Sequence, residues 1–302
     1  MLRFFPLFWL LAGLPVVADD KLALGGSAEV GISYTDGLLV PELDTWLKAA
    51  DQASFWSLDA YATLKATDKI TFDGGVSHYR ESYQDYQQYD ISLQRYYADM
   101  QYQLSAGALG WQVQRAEFTL GDVSFLQQNS FGFSYSHLFS RQYFLYLNLL
   151  QSSKSFTTLS ERDSKVRQAG AELFYLPASR WGMVSLSLLA GQEDTADNFY
   201  RNHTAAIGVN YRRYYSLLGL AGQLDSGVKL QHKNFPHYLL QNIQLQDIKR
   251  RDRFTELFSH LSVKLNPYLS SKLSVSYLDQ TSTLDDFDYQ EFSVKLSAKL
   301  TF

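Results

Sequence analysis

The chain has no cysteine among its 302 residues and little net charge, −4 at neutral pH. The absence of cysteine excludes disulfides and metal sites built from thiolates. A cysteine-free chain suits an envelope protein that crosses an oxidising periplasm unfolded. Nucleic-acid-binding proteins carry a basic excess that this sequence lacks, so we expect no nucleic-acid partner.

Long apolar runs are also missing after the first few residues. No later stretch approaches the ~18 apolar residues that a transmembrane helix needs. The amino-terminal segment has a basic residue at Arg3, an apolar run over 4–14 and small residues before Asp19. This pattern is typical of a secretory signal peptide cleaved after Ala18, and the run is too short for a transmembrane anchor. We therefore predict a signal peptide at 1–18 and a single domain at 19–302.

The sequence is rich in aromatic residues and contains stretches in which apolar and polar residues alternate. Aromatics form 15% of the chain, with 21 Tyr and 20 Phe, while the mean hydropathy is only −0.22. Over 291–302, apolar and polar residues alternate almost without a break and end on Phe302. Alternate strand residues point to opposite faces. Such a strand has one face on a core in a soluble sheet, or one face on lipid in a transmembrane barrel.

The same pattern recurs along the whole chain. We predict fourteen strands, near 24–35, 54–66, 69–80, 88–104, 109–120, 128–139, 141–155, 164–176, 181–193, 200–213, 215–230, 253–266, 268–279 and 288–302. An even number places both ends of the barrel chain on the same side. A soluble sandwich is the alternative, but it would leave long aromatic strands with unprotected edges.

The connections between these strands alternate in length. Short turns are predicted at 67–69, 105–108, 140–141, 177–179, 213–214 and 266–267, and long polar segments at 36–53, 81–87, 121–127, 156–163, 194–199, 231–252 and 280–287. Short periplasmic turns and longer extracellular loops are the asymmetry of outer-membrane barrels. The predicted fold is therefore all-β, a transmembrane antiparallel up-and-down β-barrel of about 14 strands in the bacterial outer membrane.

Charged residues at inward positions are the candidate functional residues. We predict that the pore is lined by Glu29, Asp59, Asp73, Glu256, Lys264, Lys272, Lys295 and Lys299. Closure brings the acids of the first strands next to the lysines of the last strands, which would set up a field across an open lumen. In a filled lumen, the same charges would pair with one another.

Several other features were weighed for catalysis or metal binding. His137 and Ser140 are three residues apart, which puts them on opposite faces of a strand and disfavours a nucleophilic pair. Asp194, Asp197 and His203 could form a protease-like group at the rim, and the acidic clusters at 193–197 and 285–288 could hold Ca²⁺. Solvated loops explain these acids more simply, so we predict no catalytic residue, metal site or cofactor.

The segment 231–252 is the longest predicted loop. Leu239, Leu240 and Ile243 have rough helical spacing and precede the basic run 249–251. An amphipathic helix there would act as a lid or lie on the membrane surface, and the basic run would meet lipopolysaccharide phosphates. A surface loop is the alternative.

The carboxy-terminal region carries a family resemblance. The terminal strand ending in Phe302 resembles the last strand of Gram-negative outer-membrane β-barrel proteins, which implies that Phe302 is the signal read by the barrel assembly machinery. The order of 250–253, the turn at 266–267, the acidic loop 285–289 and the end 299–302 also resembles the barrel modules of surface lipoprotein assembly modifier proteins. That second likeness implies a secretion-associated barrel.

Together these features predict a passive pore or export conduit for small polar or charged solutes or polymers. The alternatives are an outer-membrane enzyme of lipase or protease type, and a structural or surface-assembly barrel with a filled lumen. The expected partners are outer-membrane lipids and lipopolysaccharide, the barrel assembly machinery and a periplasmic export partner.

Overall fold

The computed structural model describes residues 21–40, 45–179, 181–217, 219–241 and 247–302. The predicted signal peptide at 1–18 lies outside the described residues. Within them, no helix is long and apolar enough to cross a membrane.

Fourteen antiparallel strands close into one barrel, which confirms the predicted fold class. The barrel strands are β1 (Leu22–Thr35), β4 (Asp51–Lys65), β5 (Ile70–Tyr83), β6 (Ile91–Leu104), β7 (Gly107–Leu120), β8 (Val123–Leu138), β9 (Tyr143–Phe156), β10 (Ser164–Tyr175), β11 (Gly182–Thr195), β12 (Asn202–Leu217), β13 (Leu220–Gln241), β14 (Asp247–Lys264), β15 (Leu269–Ser282) and β16 (Tyr289–Thr301). The short strands β2 (Leu38–Val40) and β3 (Thr45–Leu47) pair with each other in the connection between β1 and β4. Each barrel strand pairs with its neighbours along the chain, and β16 closes onto β1.

The barrel has two distinct ends. The turn end carries the described connections 66–69, 105–106, 139–142, 176–179 and 265–268 and the residues 181 and 219, together with the start of β1 and the end of β16. The loop end carries the described connections 36–40, 45–50, 84–90, 121–122, 157–163, 196–201 and 283–288. Short turns and both chain ends on one side mark the periplasmic end of bacterial barrels.

Two predicted long loops are wrong. Gly121 and Asp122 have φ of 56° and 63°, and β8 begins directly at Val123. Two consecutive left-handed residues make the tight turn that matches the twist of a hairpin. The predicted loop at 231–252 is mostly strand, since β13 and β14 continue to Gln241 and from Asp247.

The predicted helix in that segment is therefore also wrong in its described part. Leu239 pairs with Lys249, and the register shifts between Asn234 and Leu239. Pairing of the two arms satisfies their backbone groups, so the chain needs no helix to do so. The shift in register at this bulge interrupts the strict alternation of apolar and polar residues. The apolar residues of the segment therefore resemble the spacing of a helix.

The two faces of the wall are sorted as the alternation predicts. On β1, Val30 and Ile32 are 52% and 63% exposed on the outer face, while Ser27 and Ser33 are buried on the inner face. Leucines and aromatic residues of the other strands continue this exposed apolar outer surface. An apolar band of this kind is typical of the lipid-facing surface of a transmembrane barrel.

The buried core lies inside the barrel toward the loop end. Its residues include Leu38, Val40, Phe55, Phe235 and Tyr289, all at most 8% exposed. Glu81, Arg250 and Asp252 are also buried, and the Arg250 guanidinium lies against the Phe235 ring. The lumen thus has two parts, an unfilled turn-end half and a packed loop-end half.

Candidate functional site

The turn-end half of the lumen holds a cavity of about 600 Å³. Its wall includes acids on β1, β10 and β13, bases on β12, β15 and β16, and a histidine on β14: Glu29, Glu172, Asp225, Arg212, Lys272, Lys299 and His260. These side chains reach the lumen because they alternate with outward leucines, as His260 does with the exposed Leu261. The cavity is therefore polar and carries charges of both signs.

The seam between β16 and β1 brings the predicted acidic and basic groups together. Glu29 and Lys299 are direct register partners. The Ser297 hydroxyl donates to the Glu29 carboxylate over 2.6 Å. This meeting depends on barrel closure, because the two residues are 270 positions apart.

Acidic side chains continue from this seam along the inner wall. The Ser27 hydroxyl donates to Asp59 over 2.9 Å, and the Thr63 hydroxyl donates to Asp73 over 2.5 Å. Asp73 is also the register partner of Asp99 on β6. Sequence analysis missed Asp99. Asp99 shares the inner face of β6 with Tyr97 and Gln101, and this alternation could have identified it. Two carboxylates at adjacent positions concentrate negative charge on this side of the lumen.

Lysines occupy the other side of the seam. Lys272 and Lys299 line the turn-end cavity, and Lys264 lies exposed at the turn end of β14. In the described part of the chain, none of these three ammonium groups has a carboxylate oxygen within 4.0 Å. Glu256, on the loop side of Lys264 along β14, is the register partner of Lys229. Among the described residues, no neighbouring carboxylate thus neutralises the charge of Lys264, Lys272 or Lys299.

Lys295 behaves differently from the other lysines. Its Nζ lies 2.9 Å from both carboxylate oxygens of Glu81 on β5, across the inner faces of β1 and β4. The hydroxyls of Ser33 and Tyr79 donate to the same carboxylate over 2.6 and 2.5 Å. The Phe55 ring centre lies 5.5 Å from the ammonium. Sequence analysis missed Glu81, since the pair joins strands that are not neighbours.

A group of aromatic and charged residues, here called the mouth cluster, packs at the loop end. It consists of Phe199, Phe235, Tyr238, Arg250, Asp252 and Phe287. The Arg250 and Asp252 side chains are 1% and 0% exposed and 2.6 Å apart. The guanidinium carbon lies 3.7 Å from the Phe287 ring centre and 4.3 Å from that of Phe235.

The mouth cluster corrects one expectation for the basic run at 249–251. Arg250 points inward and is buried, so it is not available to phosphates on the surface. Its strand neighbours Lys249 and Arg251 are exposed on the opposite face. The alternation of a strand, rather than a helix or loop, separates these three cations.

The residues weighed for catalysis or metal binding make structural contacts. Nδ1 of His137 lies 2.5 Å from the Ala106 carbonyl at the turn end. Asp194 pairs with Arg201 over 3.1 Å, and Asp197 accepts from the Phe199 amide over 3.0 Å. Glu193 faces inward and pairs with Lys154 over 3.2 Å. Among the described residues, no group of three or more histidines and acids could hold a metal ion.

Phe302 continues the pairing of the last strand. Its amide and carbonyl both bond to Gly26, over 3.0 and 2.9 Å. A Cβ at position 26 would lie 2.7 Å from the Phe302 ring, so the glycine leaves room for it. The terminal aromatic is therefore seated on β1 at the closing seam.

No protein-family model and no curated protein matches the sequence. The barrel is similar to solved structures instead. An anion-selective porin from Comamonas acidovorans superposes with a TM-score of 0.54 at 8% identity, covering 93% of this chain and 99% of that one. The trimer form of OmpT, an outer-membrane protein of Vibrio cholerae, gives 0.51 at 9% identity, with 94% and 100% covered.

A bacterial polysaccharide outer-membrane secretin gives a TM-score of 0.50 at 9% identity, covering 92% of this chain and 98% of that one. At such identities these likenesses show the fold and not the activity. The resemblance to surface lipoprotein assembly modifiers has no counterpart among these structures. This chain has the closed antiparallel β-barrel fold of bacterial outer-membrane proteins.

Proposed function

We propose that this protein is an outer-membrane pore for small polar or charged solutes, with the turn-end cavity on the permeation path. One observation carries the proposal: a cavity of about 600 Å³ inside a closed barrel is lined by charged side chains of both signs. Charges along a narrow aqueous path select ions and order water. The apolar outer face supports placement of the barrel in lipid.

The lysines of the turn end set the selectivity in this proposal. Among the residues that the structure describes, Lys264, Lys272 and Lys299 have no carboxylate partner, so their charge acts on permeant ions over about a Debye length, ~8 Å at physiological salt. The acids Asp59, Asp73 and Asp99 lie on β4, β5 and β6, on the other side of the seam from the lysines, and act in the opposite sense. One part of the wall along the path is therefore basic and another part acidic.

Conductance in a planar bilayer tests the proposal. The unmodified barrel is expected to conduct, and replacement of the three lysines by glutamate is expected to shift the reversal potential toward cations, most strongly at low salt. Lys165→Glu is the control, since Lys165 is exposed on the outer face of β10. Absence of conductance in the correctly folded protein would refute the pore.

The second candidate is a structural barrel closed at the loop end. The mouth cluster favours it, because a buried ion pair under three rings fills space at the outer opening. Conductance separates the two candidates. A closed barrel would not conduct until the cluster is loosened, for example by Phe287→Ala.

A further inference from the structure

The outer face of β12, β13 and β14 carries a groove of about 580 Å³. Its floor is apolar and contains Ala205, Ile207 and Leu230; the last two are 44% and 49% exposed. At the side nearer the loop end it is bounded by His232 and Arg253, which are register partners. Along the strands, the groove therefore changes from apolar toward the turn end to basic toward the loop end.

A row of cations continues from the groove toward the loop end. Lys249, Arg251 and Arg253 occupy alternate positions of β14 and are all exposed on its outer face. In the described part of the chain none of them lies within 4.0 Å of a carboxylate oxygen. Alternate residues of a strand are ~7 Å apart, so the row spans ~13 Å.

Other outward arginines near the loop end are neutralised. Arg80 pairs with Asp122 over 2.9 Å, and Arg115 pairs with Glu117 over 2.7 Å. Arg201 pairs with Asp194 over 3.1 Å. The three uncompensated cations beside the groove thus contrast with these paired arginines, and their row is suited to an anionic partner.

We propose that this groove binds the lipid A part of lipopolysaccharide. An acyl chain lies over Ala205, Ile207 and Leu230, and the guanidinium groups of Arg251 and Arg253 bind phosphate. Guanidinium forks match phosphate oxygens in pairs. The inference rests on the proposed placement in the outer membrane, with the loop end outside, and does not require an open lumen.

The length of the cation row favours lipid A over a phospholipid. Lipid A carries two phosphates on a disaccharide, which can contact cations spread over the ~13 Å of the row. A phospholipid diester presents a single phosphate and would use one arginine. Phosphatidylglycerol, which has the same charge chemistry in a smaller headgroup, is therefore the discriminating competitor.

Native mass spectrometry of the refolded, detergent-purified chain tests the site. The expected result is one bound bisphosphorylated lipid A, with phosphatidylglycerol and dephosphorylated lipid A each bound about tenfold more weakly or worse. The double variant Arg251→Gln with Arg253→Gln should weaken lipid A binding about ten- to hundredfold, because charge-assisted contacts are lost. The control, Arg80→Gln with Arg115→Gln, removes the same charge elsewhere and should leave binding unchanged. Equal losses in both variants, or equal binding of phosphatidylglycerol, would overturn the site.

A second variant tests the apolar floor without changing charge. Ala205→Phe fills the groove from the outer face and should weaken lipid A binding, whereas Ala98→Phe, on the exposed outer face of β6, should not. Heat-dependent migration on gels checks that both variants form barrels. Unchanged binding in a folded Ala205→Phe protein would sink the groove assignment. A barrel that binds lipid A but does not conduct would fail as a pore and leave this inference standing.

Discussion

Inward-facing charged residues have different surroundings in the two halves of the lumen. In the turn-end half, Lys272 and Lys299 line a cavity and have no carboxylate partner among the described residues. In the loop-end half, Lys295 is held by Glu81 and Arg250 by Asp252, both beside aromatic rings. Inward parity alone therefore does not make a residue pore-lining. Contacts between strands that are not neighbours decide whether a charge meets water or is locked in place.

The largest expected effect is loss of stability when the buried pair at the loop end is broken. Arg250→Ala should lower the free energy of unfolding by ~3–5 kcal/mol, since it leaves the Asp252 carboxylate buried and unpaired. Urea unfolding of the refolded barrel in detergent, followed by tryptophan fluorescence, measures it.

The matched control is Arg80→Ala, which removes an arginine from an exposed pair with Asp122. Exposed pairs contribute ~0–1 kcal/mol. If Arg250→Ala were as mild as this control, the packed loop-end half would lose its physical basis.

Next in size is a contrast between two lysines on the same strand. Lys295→Met should cost ~1–3 kcal/mol, because the Glu81 carboxylate, 6% exposed, loses its cation. It should leave the reversal potential of the pore nearly unchanged. The double variant Lys295→Met with Glu81→Leu should recover stability, as replacement of a buried pair by apolar groups often does.

Lys299→Met should show the reverse behaviour. Its ammonium group lines the cavity and has no carboxylate partner in the described part of the chain, so its loss should change stability by less than ~1 kcal/mol. Ion selectivity in a bilayer should move toward cations, most visibly at low salt. The two halves would not be functionally distinct if Lys295→Met shifted selectivity more than Lys299→Met did.

The last prediction concerns Phe302, whose effect on the folded barrel is expected to be modest. Its deletion removes two backbone hydrogen bonds to Gly26, which are together worth ~1–2 kcal/mol. We expect a stronger effect on the amount of barrel in the outer-membrane fraction, because the terminal aromatic is the predicted assembly signal. Normal outer-membrane levels of the deletion variant, compared with Thr301→Ala as control, would contradict that role.

Most of the fold could be predicted from the alternation of apolar and polar residues in the sequence. This alternation predicted the number of barrel strands, the apolar outer face and the meeting of the acids of the first strands with the lysines of the last strands, all of which follow from a period of two plus closure. It failed at 121–127 and 231–252, where polar composition suggested loops. The part of a barrel strand that extends past the apolar outer band can be polar on both faces. Composition then no longer distinguishes it from a loop.

Charge partners outside neighbouring strands could not be predicted in this way. Glu81 reaches Lys295 across two intervening strands, and Arg250 lies under Phe235 of β13 and Phe287 of a separate loop. Such contacts depend on how the inner side chains fill the curved wall, which no periodicity encodes. The exposed row Lys249, Arg251 and Arg253 was likewise hidden, because it appears only once β14 is known to be a strand there.

The amino-acid order by itself thus determined a closed antiparallel barrel with a polar inside and an apolar outside, because strand geometry gives every second residue the same surroundings. Only the tertiary structure decided which inward charges remain in the turn-end cavity and which are buried at the loop end. The reason is that an ion pair depends on the distance between its two groups in space, and closure of the barrel sets that distance independently of their separation along the chain.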